Sequence, residues 1–187
     1  VSISQALKPK VPRVMGIDAS TNSIAFAVLE GEKVIKCGEI ILVGSNVYER
    51  IVDARRKCEV LVELFDIDFI AIEKAVMVRS AEIGLKLAMV FGTIISVLAD
   101  RGATVVEVYP IQWQSYIGNK NFSVKEKNFV KEQFPGKSAT WYKSKIREIR
   151  KQRTLDWVKD TFGVELTSDN VGDSFGLAWY ASKELVR

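Results

Sequence analysis

Apolar residues in this chain fall first into short alternating runs and then into longer stripes at helical spacing. Residues 13–18, 24–29 and 33–42 read as three β-strands. The turn Ser20-Thr21-Asn22-Ser23 joins the first two and Glu30-Gly31-Glu32 the last two, so short connections make them an antiparallel meander. Residues 48–65 follow as an amphipathic helix, with Ile51, Ala54, Cys58, Leu61, Val62 and Phe65 on one face. "DFIAIE", residues 68–73, is a fourth strand; residues 81–100 form a long apolar helix stopped by Arg101-Gly102; residues 104–109 form a fifth strand closed by Pro110. From there to Gly163 the pattern is helical and basic, and residues 169–185 make a last helix. Strands linked through helices lie parallel. The order βββαβαβ therefore predicts an α/β fold: a five-stranded mixed sheet, three-strand meander plus parallel strands, flanked by helices.

Composition narrows the chemistry. The 187 residues are 48% apolar and 27% charged, which suits one domain over residues 13–187 behind an N-terminal arm, residues 1–12, broken by Pro9 and Pro12. No apolar run of roughly 18 residues escapes interruption by charge or glycine, so no membrane partner is expected; residues 81–99, the most apolar stretch, carry Glu82 and Lys86. The first twelve residues lack the apolar centre of a secretion signal, and the chain starts without Met, as a processed N-terminus does. Cys37 and Cys58 are too few for a disulfide framework or a metal knuckle. They suit free thiols in a reducing intracellular compartment, such as the cytoplasm of a bacterium or an infected host cell. With no histidine in the chain, His-based triads and His zinc sites are excluded. Catalysis has to lean on carboxylates, Lys, Tyr or a metal.

The carboxylates sit at element ends. Asp18 closes the first strand and Glu73 the fourth. In a mixed sheet of this order those strands can be parallel central neighbours, with the two acids side by side about 5 Å apart. Asp169 and Asp173 are four residues apart and share one face at the start of the last helix, while Val171, Phe175, Leu177 and Ala178 can pack on the sheet. Taken singly, each acid has an ordinary explanation: Asp18 a turn residue, Asp169 a helix N-cap, Glu73 a partner of Lys74 or Arg79. Together they form an oxygen-only set suited to Mg²⁺ or Mn²⁺, and two such ions about 4 Å apart hydrolyse phosphodiesters. Residues 119–153 hold eleven basic and three acidic residues, while the rest of the chain is net negative. Such a block is either a polyanion-facing surface or a solvated helix.

Four stretches carry a family resemblance: "MGIDASTNS", "AIEKAVMVRSAEIGLKLAMVFG", "YPIQW" and "SDNVGDSFGLA". In their order and spacing they resemble the ribonuclease H-like nucleases, and within them the RuvC-type Holliday junction resolvases, phage-type members especially. The resemblance spans residues 13–186 and is weakest over 119–160. It implies a dimeric, Mg²⁺-dependent endonuclease (Mn²⁺ substituting), with two ions per site and no small-molecule cofactor. Such an enzyme resolves four-way DNA junctions by paired nicks. Asp18, Glu73 and Asp173 match the family's acids. The family's further ligand, three residues before the last Asp, falls here on Asn170, so Asp169 is expected to ligate with Asn170 as a secondary ligand. The family often places an aromatic residue in the loop after Glu73; here Val76-Met77 could offer an apolar wedge instead.

The expected DNA contacts are Lys120, Lys125, Lys137, Trp141, Lys143, Lys145, Arg147, Arg150 and Lys151, with Met77 and Arg79 from that loop. Trp113, Trp157 and Trp179 are expected in the core. Gly84, Ala88, Gly92 and Ser96 form a small-residue stripe that permits close packing, on the sheet first and a second subunit otherwise. Three other functions compete: a nuclease of this fold acting on RNA–DNA hybrids or structured RNA, a non-catalytic nucleic-acid-binding module, and an actin- or sugar-kinase-type nucleotide fold. The last also opens on "GIDAST" but needs two such domains, for which 187 residues are too few.

Overall fold

The structure is a computed structural model and describes residues 10–74 and 80–186. Strands β1 (Arg13–Ala19), β2 (Ser23–Glu30) and β3 (Lys33–Ile41) form the meander. Helix α1 (Val47–Phe65) leads to β4 (Phe69–Glu73), helix α2 (Ala81–Asp100) to β5 (Thr104–Val108). Three helices, α3 (Pro110–Tyr116), α4 (Val124–Gln133) and α5 (Ala139–Phe162), precede α6 (Asp169–Glu184). The sheet order is β3-β2-β1-β4-β5, with β1 antiparallel to β2 and parallel to β4. The five-stranded mixed sheet is thus the one the pattern predicts.

Alternation along β1 divides the molecule into two cores. Met15, Ile17 and Ala19 face α1 and α2, against Ala54, Cys58, Leu61, Val90, Ile94 and Leu98. Val14, and by the period of two Gly16 and Asp18, face the other side, where α6 lies with Trp113 of α3 and Val158 of α5. To the second core α6 contributes Phe175, Leu177, Ala178 and Ala181, all fully buried.

Two glycines let α6 pack closely, one against the sheet and one against α3. A Cβ on Gly16 would collide with the Ser174 carbonyl oxygen and come within 2.6 Å of the Ala178 amide. Only a residue without a side chain lets helix backbone rest directly on the strand there. Gly176 does the same for the Trp113 ring, which a Cβ would approach within 2.6 Å at Cζ3. Trp113 fills that hollow with 1% of its surface exposed. Trp157 and Trp179 pack at the margin of the same core, as expected for structural tryptophans.

Helix α2 departs from the sequence expectation. Among the described residues it is the one helix long and apolar enough to cross a membrane, with a mean hydropathy of 1.8. Glu82 and Lys86 lie in its first two turns and leave the remainder uninterrupted by charge until Asp100. The helix buries only Val90, Ile94 and Leu98. It is also the crossover between two hydrogen-bonded parallel strands, β4 and β5. Both its ends are therefore tied to the sheet, and spanning a bilayer would tear that pair apart. The small-residue stripe is not core either: Ala88, Gly92 and Ser96 are exposed, and a Cβ on Gly92 would meet nothing within 4 Å.

Candidate active site

The parallel register aligns Ile17 with Ile72, so Asp18 and Glu73, one residue further along, sit side by side on the α6 face. Asp173 precedes Ser174, whose carbonyl lies over Gly16, and this contact brings Asp173 down onto Asp18. Asp169 is one helical turn before Asp173 on the same face. Burial pushes the Asp173 carboxyl up to about 8, helped by the negative charges of Asp18, Glu73 and Asp169 and opposed by Lys151. Burial also raises Asp18 to about 7, helped by Glu73, Asp169 and Glu39 and again opposed by Lys151. Glu73 is raised by burial, partly offset by the Trp113 indole N–H, which donates to its Oε2 at 3.1 Å. Four acids that repel one another this way define a place where positive charge is favoured.

The donor set fits a hard divalent cation, being all oxygen and partly stripped of water. Among the described residues, no three acids are gathered tightly enough to hold an ion as they stand. Asp169 is ion-paired with Lys151, and Glu73 is hydrogen-bonded to Trp113. Ligation therefore requires Asp169 to leave Lys151. Two of the ordinary explanations for single acids do not hold, while a Glu73–Arg79 pair falls outside the described residues. Lys74 pairs with Glu107 at 3.3 Å rather than with Glu73, and Ser168, not Asp169, caps α6 by accepting from the Val171 amide.

A cleft of about 470 Å³ runs from these acids along α5, lined by Asp18, Asp169 and Asp173 on one side and Lys143, Arg147, Arg150 and Lys151 on the other. Four of the expected DNA contacts thus share one cleft with the acids. Within it the Arg150 guanidinium is engaged internally, donating to Gln114 Oε1 at 2.5 Å and to the Asn119 carbonyl at 3.4 Å. Other expected contacts lie apart. Lys145 pairs with Glu148 at 2.7 Å and sits over the Phe134 ring. Trp141 packs on Phe134 with Lys137 over its own ring, Lys120 is exposed beyond α3, and Lys125 lines a separate apolar groove between α4 and α5. Val76, Met77 and Arg79 lie outside the described residues, as do residues 1–9 of the N-terminal arm.

Asn170 lines the same cleft as Asp18, Asp169 and Asp173, and its side chain is held by a further acid. Its Nδ2 donates to Glu39 Oε1 at 2.9 Å, and Ser168 Oγ donates to Glu39 Oε2 at 2.7 Å. The sequence pattern alone does not single out Glu39. It pairs with Ala25, which pairs with Asp18, so the three form one row across the sheet. A charged residue on the covered face of a strand is the signal, legible only once the register is known.

A profile of the family "Crossover junction endodeoxyribonuclease RuvC" matches residues 14–131, β1 to α4. The match ends before α5 and α6, so Asp169 and Asp173 stand on geometry. No curated protein matches the chain in sequence. Among solved structures, Thermus thermophilus RuvC in complex with a Holliday junction substrate superposes with a TM-score of 0.68 at 14% identity, over 91% of this chain and 92% of that one. A second structure of Thermus thermophilus RuvC gives 0.66 at 13% identity, over 91% and 93%. The yeast mitochondrial Holliday junction resolvase Ydc2 gives 0.54 at 14%, over 98% and 85%. These chains share the fold described above.

Proposed function

Because this chain belongs to the RuvC family of crossover junction endodeoxyribonucleases, we propose that it resolves four-way DNA junctions by paired metal-assisted nicks, with Asp18, Glu73, Asp169 and Asp173 as its metal-holding acids. Nucleases of this family depend on a divalent metal. We take that metal to be Mg²⁺, with Mn²⁺ substituting, and two ions per site. The observation that carries the reading is the seating of α6 on Gly16, which stacks Asp173 over the Asp18–Glu73 pair beside a basic cleft. The bound ions would supply an activated water and charge neutralisation at the leaving oxygen. The protein's own part is placement. Asp18 and Glu73 project from central strands, Trp113 fixes one Glu73 oxygen, and Lys143 and Arg147 offer phosphate contacts along α5. The test is incubation with a synthetic mobile four-way junction and, separately, an RNA–DNA hybrid, each with Mg²⁺ or EDTA. Junction nicking confined to the Mg²⁺ arm is expected; cleavage of the hybrid with the junction left intact would contradict it.

Paired nicks call for two active sites, and the outer face of α2 supports a homodimer. Ile83 and Leu85 of α2 are 59% and 65% exposed, and Val52, Val60 and Leu64 of α1 are also largely exposed. Between the helices runs a groove of about 880 Å³ lined by Ile51, Val52, Met89, Gly92, Thr93 and Ser96. Exposed apolar side chains edged by Arg55, Glu59, Asp100 and Arg101, with small residues allowing close approach, suit an isologous contact. Leu85→Glu is expected to convert a dimer to a monomer in analytical ultracentrifugation; a parent protein that is monomeric at micromolar concentration contradicts the proposal. The free thiols of Cys37 and Cys58 support action in a reducing compartment. A parent that gains a disulfide or loses activity under reductant would speak against it.

A further inference from the structure

Glu39 stands on the edge strand β3, far in sequence from every metal-holding acid, yet it reaches the first turn of α6 through two hydrogen bonds at 2.7 and 2.9 Å. Its partners, Ser168 and Asn170, flank Asp169 on both sides. Successive residues in a helix turn by about 100°, so Asn170 and Asp169 cannot face the same way, whereas Asp169 and Asp173 nearly do. Asn170 and Asp169 both line the cleft, and gripping Asn170 toward β3 sets the angle at which Asp169 enters it. The N-cap is held by the same carboxylate, since Ser168 Oγ donates to Glu39 while accepting from the Val171 amide. Hydrogen bonds from Asn170 and Ser168 keep the Glu39 carboxyl below the usual range, so it stays charged where a helix N-terminus favours a negative group.

We propose that Glu39 is a positioning residue for the metal site: by clamping Ser168 and Asn170 it fixes the rotation of the first turn of α6, and with it the direction of Asp169, which lies between them. The proposal rests on the functional reading above and assigns a role to a residue outside the four acids. Outer partners of metal ligands typically matter by about 10- to 100-fold in affinity.

The test is Mn²⁺ binding to the metal-free full chain, followed by the EPR signal of free Mn²⁺, with thermal melting and metal-free junction binding measured on the same preparations. Glu39→Ala is expected to weaken Mn²⁺ binding by about 10- to 100-fold and to leave junction affinity unchanged. Asn170→Ala should weaken it less. The double variant should be no worse than Glu39→Ala alone, because both remove one clamp. Glu39→Gln, which still accepts from Ser168, should recover part of the loss. If Glu39→Ala does not fold, Ser168→Ala and Asn170→Ala each remove one donor without touching the sheet, and a loss of Mn²⁺ affinity in both supports the clamp. A Glu39→Ala protein with a lower melting temperature but parental Mn²⁺ affinity makes the contact merely structural and overturns the proposal. Tighter Mn²⁺ binding in Glu39→Ala also overturns it, since Asn170 would then be a sequestered ligand. A parent that takes up no Mn²⁺ overturns both this proposal and the functional reading, and so separates the two kinds of failure.

Discussion

Asp18 and Asp173 titrate far above the 3.8 of a free aspartate, at about 7 and about 8. The folded chain therefore holds protons that the unfolded chain has released. The stability these two groups contribute is complete below about pH 4 and is lost as pH rises through 7 and 8. The chain has no histidine to titrate in that window, and Glu73, also raised by burial, acts in the same direction. Glu39, Glu49, Asp53, Asp68 and Glu126 have lowered values and act only in more acid solution. The metal-free melting temperature is expected to fall between pH 5 and pH 8, and saturating Mn²⁺ should flatten the profile, because a cation binding only the folded state replaces the protons. Asp173→Asn should remove much of the slope and raise the metal-free melting temperature at pH 8. A metal-free profile that is level or rises with pH across this window contradicts the clustering.

At the scale of elements, α6 is the part that makes a site out of separate acids, and Gly16 is what lets it do so. Gly16→Ala should push the helix off β1. Overpacking of this kind typically costs about 1–3 kcal/mol, and the displacement should also reduce Mn²⁺ affinity. An alanine variant with parental stability and affinity would mean that the helix is not seated as described. Helix α5 is expected to hold DNA rather than cut it. Replacing Lys143 and Arg147 with Ala should weaken junction binding and flatten its salt dependence by about two counterions; an unchanged slope makes α5 a solvated helix. Much of this was legible in the sequence. Strand alternation set the sheet, and the i, i+4 spacing of Asp169 and Asp173 set their shared face. What was not legible depended on register and exposure. Glu39 is an unremarkable edge-strand acid until Ala25 aligns it with Asp18. Arg150 reads as a free cation until Gln114 and the Asn119 carbonyl are seen to hold it. The apolar period of α2 gives no means of telling a buried face from an exposed one, so its small-residue stripe suits the sheet or a second subunit until its exposure is seen.

Seen as a whole, the molecule separates binding from chemistry. A net-positive helical half carries α5, a sheet half carries Asp18 and Glu73, and the cleft between them joins the two. Removing charge at the sheet end should spare the basic surface and the fold. Glu73→Gln keeps size and can still accept from Trp113, so the variant should fold and bind a four-way junction at least as tightly as the parent, one negative charge near phosphate being gone. Asp18→Asn and Asp173→Asn should behave alike, with losses that do not add, because the acids act as one unit. The decisive measurement is the single-turnover nicking rate of parent and Glu73→Gln on one synthetic mobile junction at saturating Mg²⁺, with a gel shift of the same samples. Retained binding and a rate lower by about a thousandfold or more are expected, since metal-assisted activation supplies several kcal/mol and each 1.36 kcal/mol is about tenfold. A Glu73→Gln protein that binds the junction and nicks it within about tenfold of the parent rate, a gap of only about 1.4 kcal/mol, would contradict the metal-holding role of Glu73.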